Sequence, residues 1–227
     1  MKAHFCVAID GPGGAGKGAA ARAVAEHYGI HCVDTGAMFR ALALALLEAG
    51  VDPADAAAVE RQLPRIHLEL RFREDGTQET CLEGVDVSGR IREERISRAA
   101  SQISALPAVR TALLGPQRDL AERYSLVMDG RDIGTVVLPK AEVKIFLTAD
   151  LEVRAKRRYE EEVLKKPGTT FEQVREQLRQ RDADDAGRAV APLRQAEDAI
   201  VVDNTRLNVA ETAAEICRLI DERVPEA

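Results

Sequence analysis

Residues 11–18 read Gly11-Pro12-Gly13-Gly14-Ala15-Gly16-Lys17-Gly18, one residue after the apolar run Phe5-Cys6-Val7-Ala8-Ile9. A buried strand, a glycine loop and a lysine in that order form a cradle for nucleotide phosphates. The glycines let successive N–H groups turn inward, and the N-terminus of the helix predicted from Ala19 to Glu26 adds a positive dipole. Lys17 reaches the outer phosphates as a point charge. The spacing follows G-x-x-x-x-G-K-[ST] as far as the lysine, but Gly18 and Ala19 carry no hydroxyl for a magnesium ion. Residues 11–19 are therefore the expected ATP contacts. The loop implies binding of a nucleoside di- or triphosphate and does not by itself separate a switch, a motor or a kinase.

Outward from the loop, short apolar runs alternate with helical patterns. Strands are predicted at Phe5–Ile9, His31–Val33, Leu126–Met128, Val143–Leu147 and Ile200–Val202, with helical stretches such as Arg40–Ala49 and Ala108–Arg123 between them. Short buried strands separated by helices imply a three-layer α/β fold around a five-stranded parallel sheet, with ligands at the carboxyl ends of its strands. The stretch from Pro64 to Gly89 breaks this rhythm. Ile66–Phe72 alternates like a strand with one wet face, Asp75-Gly76 is a hairpin signal, and Thr80–Leu82 and Val85–Val87 read as short partners. This is an inserted antiparallel lobe, expected to carry substrate and to close over it. Glu160 to Arg188 is highly charged and helical in pattern, broken at Lys165–Gly168, which fits a short lid or a solvated face. One domain is expected: a core at 1–60, 101–155 and 190–227, an insert at about 61–100 and a lid at about 156–189.

The 227-residue chain carries a formal net charge of −6, which argues against nucleic acid as a bulk partner. The arginines cluster in its second half, as a focused anion site requires. No apolar run is long enough to span a membrane, and the chain enters a strand directly, so neither a membrane partner nor a secretory leader is expected. Cys6, Cys32, Cys81 and Cys217 have no metal-ligand spacing and read as structural thiols of a reducing cytoplasm. His4, His27, His31 and His67 form no cluster and read as surface or strand-edge residues. Nothing signals a dimer, which leaves a monomer as the default.

Three further constellations carry chemistry. Asp34-Thr35-Gly36 follows the second strand and leads into a helix bearing Arg40. It suits either a ribose or phosphate contact or an ordinary helix cap by Asp34 or Thr35. Leu126-Val127-Met128-Asp129 matches the second, magnesium-associated strand of phosphate-loop proteins, with Asp129 holding the ion through water. Just beyond, Arg131 can clamp a phosphate and Asp132 can accept from a base amino group. Arg181, Asp182, Asp184, Asp185 and Arg188 interleave cations with acids. Together with Arg154, Arg157 and Arg158 they are expected to fold arginines over transferring phosphates, as electrostatic clamping of phosphoryl transfer requires.

Taken together, these stretches resemble the bacterial cytidylate kinases almost end to end. The resemblance runs through Ile9–Gly18, Asp34–Arg40, Glu83–Ser88, Ala100–Gln102, Val109-Arg110, Asp129–Val137 and Arg188–Leu193. Asp129–Val137 and the Arg188–Leu193 ending are more specific than the glycine loop. The likeness implies an adenylate-kinase-like core with an enlarged nucleoside-monophosphate lobe and a short lid. It implies that Ser101, Arg110 and Asp132 read cytosine, that Asp185 with Arg181 touches the sugar, and that Arg40, Arg131 and Arg188 hold the acceptor phosphate. Thr35 joins the substrate contacts and Arg157 the ATP contacts, while Lys17, Arg131, Arg158, Arg181 and Arg188 form the catalytic set. The implied reaction is ATP plus CMP or dCMP giving ADP plus CDP or dCDP, with Mg2+. Three positions depart from the family pattern: Ala19 for a threonine or serine, Phe39 for a tyrosine and Ala186 for a serine. Relatives with glycine after the lysine imply that the metal is held largely through water and phosphate oxygens. Two alternatives remain open at this point: a nucleotide-binding protein with little or no catalysis, suggested by Ala19, and a kinase for another small phosphate acceptor.

Overall fold

The computed structural model describes residues 4–73, 76–164 and 166–225. The chain opens with β1 (Cys6–Asp10), crosses the glycine loop into α1 (Lys17–Tyr28), and continues through β2 (His31–Asp34), α2 (Thr35–Glu48) and α3 (Ala56–Gln62). A small antiparallel sheet follows, formed by β3 (Leu68–Phe72), β4 (Gln78–Leu82) and β5 (Val85–Asp86), and then α4 (Glu94–Ile103) and α5 (Pro107–Arg123). Strand β6 (Leu126–Gly130) leads through a π-helical turn, Ile133–Val137, to β7 (Val143–Thr148). Helices α6 (Leu151–Val163) and α7 (Phe171–Gly187), strand β8 (Ile200–Asp203) and α8 (Val209–Arg223) complete the chain.

The main sheet is parallel throughout, in the order β2-β6-β1-β7-β8. Alternation along β1 divides the core. Val7 and Ile9 pack with α1 and α8, including Val24, Ile216 and Ile220. Cys6 and Ala8 face Leu120 of α5 and the π-helical turn on the opposite side. The insert has its own core, where α2 and α4 sandwich residues such as Met38, Leu44, Ile96 and Ile103. It is tied to the main sheet where the Gln78 side chain accepts from the Asp34 amide at 2.8 Å and donates to its carbonyl at 3.4 Å, and where Phe72 stacks on His31 at 4.1 Å.

Every predicted strand of the main sheet is found, and each runs at least one residue further toward its carboxyl end than the apolar pattern indicates. The extra residues include Asp10, Asp34, Asp129, Gly130 and Asp203. Polar groups occupy the last ladder positions because that edge of the sheet faces a site rather than the core. In the insert, Arg73 and Gly76 close the β3–β4 connection through an amide-to-carbonyl bond, whereas Asp75 of the hairpin signal lies outside the described residues, as does Lys165 of the expected lid break. Helices α4 and α6 run across residues 100 and 155, so the insert and the lid each join the core through a continuous helix. The four cysteines are free and the described histidines form no cluster.

Leu147 is fully buried in the core cluster between β1, β8 and α8. Leu147→Ala is expected to lower unfolding free energy by about 2–5 kcal/mol, measured by denaturant titration.

Candidate active site

The glycine loop begins at Gly11, whose φ of 150° and packing leave no room for a side chain: a methyl group there would lie 2.0 Å from the Leu147 carbonyl oxygen. Gly14 and Gly16 also adopt positive φ, so the backbone can curl around an anion. Lys17 opens α1, buried, and its Nζ donates to the Gly11 and Pro12 carbonyls at 2.8 Å each. Burial, reinforced by Arg131, holds its ammonium well below the usual lysine range. Gly18 and Ala19 lie in the first turn of α1, with the Asp129 carboxylate 4.0 Å from where a side chain on Gly18 would begin.

The strand register brings the second constellation against this loop. Ile9 is opposite Asp129, and Asp10 opposite Gly130. Oδ1 of Asp129 is buried and accepts no hydrogen bond, and burial together with Asp34 pushes its pKa up to about 7 against the pull of Lys17, Arg131 and Arg40. Thr35 donates to the Asp129 carbonyl at 2.8 Å, so this hydroxyl steadies the strand end. Asp34 is the helix cap of the two roles open to it, accepting from the Ala37 amide at the start of α2, and it also pairs with Arg40 at 2.7 Å. No group of three His, Cys, Asp or Glu among the described residues could hold a metal ion alone. One unpartnered buried carboxylate beside a phosphate loop fits a metal completed by water and phosphate oxygens.

Around this centre the arginines form paired ranks. Arg131 donates to Asp185 at 2.8 Å, and Arg188 reaches Asp185 and Ser104 Oγ. Asp185 is only 1% exposed. Its burial favours the neutral acid, yet Arg131 and Arg188 outweigh that and keep it below the ordinary carboxylate range. Burial and Arg131 lower Arg181 to about 10. A methyl group on Gly13 would lie 3.8 Å from Arg181 Cδ and 3.9 Å from Arg131 Nη2, so both side chains overhang the glycine loop. Arg110 donates to Asp132 at 2.8 Å and to the Ser104 carbonyl, and lies over the Phe39 ring at 5.5 Å. Ser101 lies one turn before Ser104 and accepts from its hydroxyl through its carbonyl.

The lid residues divide. Arg157 binds the Asn204 side chain and the Asn204 and Leu207 carbonyls, beyond the end of β8. Arg158 is half exposed and pairs with Glu161 and Glu162 of its own helix, away from the other arginines' acids. Arg154 is buried and joins the Gly13 carbonyl at 2.9 Å to Asp182 of α7 at 2.7 Å, so α7 is tied to the glycine loop through this one side chain. Two residues escaped the sequence reading. Asn204 donates to the Ala15 carbonyl at 2.9 Å, and Ser104 links Arg110 to Arg188. Asn204 could have been found as a polar residue just past the last strand, but Ser104 has no local signal.

A phosphate loop at the carboxyl edge of a parallel sheet, an acid on the neighbouring strand and overhanging arginines define a phosphate-loop kinase. The cytidylate kinase family model matches residues 7–222, and the chain belongs to that family. It is 45% identical to the cytidylate kinase of Klebsiella pneumoniae over 97% of both chains. It is 45% identical to that of Mycobacterium leprae over 96% of both, and 42% identical to that of Bacillus licheniformis over 98% of this chain and 99% of the other. Shikimate kinase from Acinetobacter baumannii, solved with shikimate, shares the fold at a TM-score of 0.50 and 18% identity, over 97% of this chain and 95% of that one.

A carboxyl raised from 3.8 unfolded to about 7 folded contributes stability that is full below the lower value and lost as pH rises through the higher. Ligand-free Asp129→Asn lacks this loss, so its Tm is expected to climb relative to the parent between about pH 5 and about pH 8. Thermal unfolding at both values checks this, and a constant difference would mean that Asp129 ionises freely.

Proposed function

We propose that this chain transfers the γ-phosphoryl group of ATP to the phosphate of CMP or dCMP, giving ADP and CDP or dCDP. The observation that carries the reading is the overhang of Arg131 and Arg181 above Gly13, beside the buried Arg110–Asp132 pair. One side of the seam offers backbone amides and Lys17 to a triphosphate. The other offers arginines and a carboxylate to a smaller nucleotide.

In this reading an oxygen of the acceptor phosphate, already ionised at neutral pH, forms the new bond to the γ-phosphorus as the bond to the β-phosphate oxygen breaks. No general base is required. Lys17 and the loop amides hold the donor, and Arg40, Arg131, Arg181 and Arg188 neutralise the transferring and accepting oxygens. Arg40, Arg131 and Arg188 are held by Asp34 and Asp185 beforehand, so little ordering is left for the moment of reaction. In this reading Asp185 and Arg181 contact the sugar, and Arg158 would turn inward from its glutamates when the lid closes. Asp129, with its unpartnered buried oxygen, would hold Mg2+, and the ion would supply neutralisation of phosphate charge. Cytosine presents an amino donor beside a ring acceptor, which complements Asp132 and Arg110, with Ser101 nearby; uracil presents the opposite pattern. The reading places the enzyme in the cytoplasm as a monomer acting on free nucleotides. No helix among the described residues is long and apolar enough to cross a membrane.

A coupled assay over CMP, dCMP, UMP, AMP and shikimate is expected to rank CMP and dCMP above the others. A better rate with UMP, or no rate with any acceptor, would overturn the reading. Arg131→Lys keeps a cation beside Asp185 but loses the guanidinium fork, so kcat is expected to fall about 10²–10³-fold while Tm changes little. Parallel loss of Tm and kcat would make Arg131 structural.

A further inference from the structure

Asp132 sits at the mouth of the π-helical turn Ile133–Val137, and this turn is gripped at both ends from outside. At its start the amides of Ile133 and Gly134 donate to the two oxygens of the buried Asp10 carboxylate, each at 2.8 Å. At its end the Val136 and Val137 carbonyls accept from Arg118 Nη2 at 2.8 Å and Nε at 3.0 Å. Between these grips the Val136 and Val137 amides both donate to the Asp132 carbonyl, at 2.9 and 3.1 Å. Gly134 admits the arrangement because it lacks a side chain; a methyl group there would come within 3.2 Å of Lys144 Cδ and 3.4 Å of Asp10 Oδ2. Wide π turns are poorly self-supporting and concentrate at functional sites. Here the five-residue turn has an anion on its free amides and a cation on its free carbonyls.

We propose that Asp10 and Arg118 are positioning residues for base recognition, acting through this turn to set the Asp132 carboxylate. The inference rests on the reading of Asp132 as the cytosine acceptor. Neither residue touches the nucleotide in that reading. Arg118 lies on α5 two turns beyond Arg110, so one helix holds the Asp132 side chain directly and its backbone through the turn. A carboxylate that discriminates an amino group from a carbonyl must be held to about 0.5 Å, and a misplacement of about 1 Å can cost about 10²-fold.

Arg118 is the cleaner probe, because it is exposed and remote from the glycine loop, whereas Asp10 precedes Gly11. Arg118→Ala is expected to raise KM for CMP and lower the CMP-to-UMP ratio of kcat/KM by about tenfold each, with KM for ATP unchanged. Amide hydrogen exchange at Val136 and Val137 should quicken, and Arg118→Lys, able to keep one of the two bonds, should recover part of both effects. An unchanged CMP-to-UMP ratio overturns the proposal, as does an altered ratio without faster exchange in the turn. If Arg118→Ala does not fold, Arg118→Lys and Asp10→Asn in the same assays decide, with reduced discrimination expected and retained discrimination overturning it. A parent enzyme that does not prefer CMP would instead overturn the reading of Asp132, which the parent assay alone reveals.

Discussion

The parallel pairing of β1 with β6 is the interaction on which the rest depends. Its register sets Ile9 against Asp129 and Asp10 against Gly130, so the chain leaves both strands at one level and into one space. The glycine loop emerges from the first strand and the turn bearing Arg131 and Asp132 from the second. Because a parallel sheet sends every carboxyl end the same way, β2 delivers Asp34 to the same edge, opposite Asp129. A slip of one residue in that ladder would carry Asp129 to the other face and separate it from Lys17.

The electrostatics follow from crowding like charges into this edge. The chain is acidic overall, yet burial, with Arg131 beside them, lowers the proton affinity of both Lys17 and Arg181. Around them Asp34, Asp132 and Asp182 hold Arg40, Arg110 and Arg154, and Asp185 holds both Arg131 and Arg188. These acids compensate charges that would otherwise be buried without partners, and they fix the forks in orientation. A phosphate entering the space meets cations whose geometry is already set and whose mutual repulsion it relieves. Arg158 by contrast pairs only with glutamates of its own helix, Glu161 and Glu162.

Most of the framework was legible in the sequence because it rests on local signals. The apolar runs marked all five main strands, and the glycine loop could fold in few other ways. The strand ends were less legible: Asp10, Asp34 and Asp203 are polar and yet remain in the ladder, since the edge they reach is a site. Helix α4 was not read, because its apolar face packs against α2 of a separate core that the sequence does not delimit. The Arg110–Asp132 and Arg131–Asp185 pairs span 22 and 54 residues, so no local pattern could join them; the family resemblance grouped Arg110 with Asp132 but assigned Arg131 and Asp185 to different parts of the substrate. Ser104 and Asn204 do their work through a hydroxyl and an amide whose partners are set by the tertiary fold.

The contact between Gln78 and Asp34 has a consequence beyond holding the insert in place. Strand β2 is an outermost strand of the sheet, and its free side presents amides and carbonyls that any extended peptide could pair with. The Gln78 carboxamide presents one acceptor and one donor, as a peptide group does, and meets both groups of Asp34, while Phe72 covers His31 beside it. The inserted lobe thus stands where a sixth strand would add. A sequence change that detached the lobe would do more than loosen the insert: it would open the sheet to a neighbouring chain and favour aggregation.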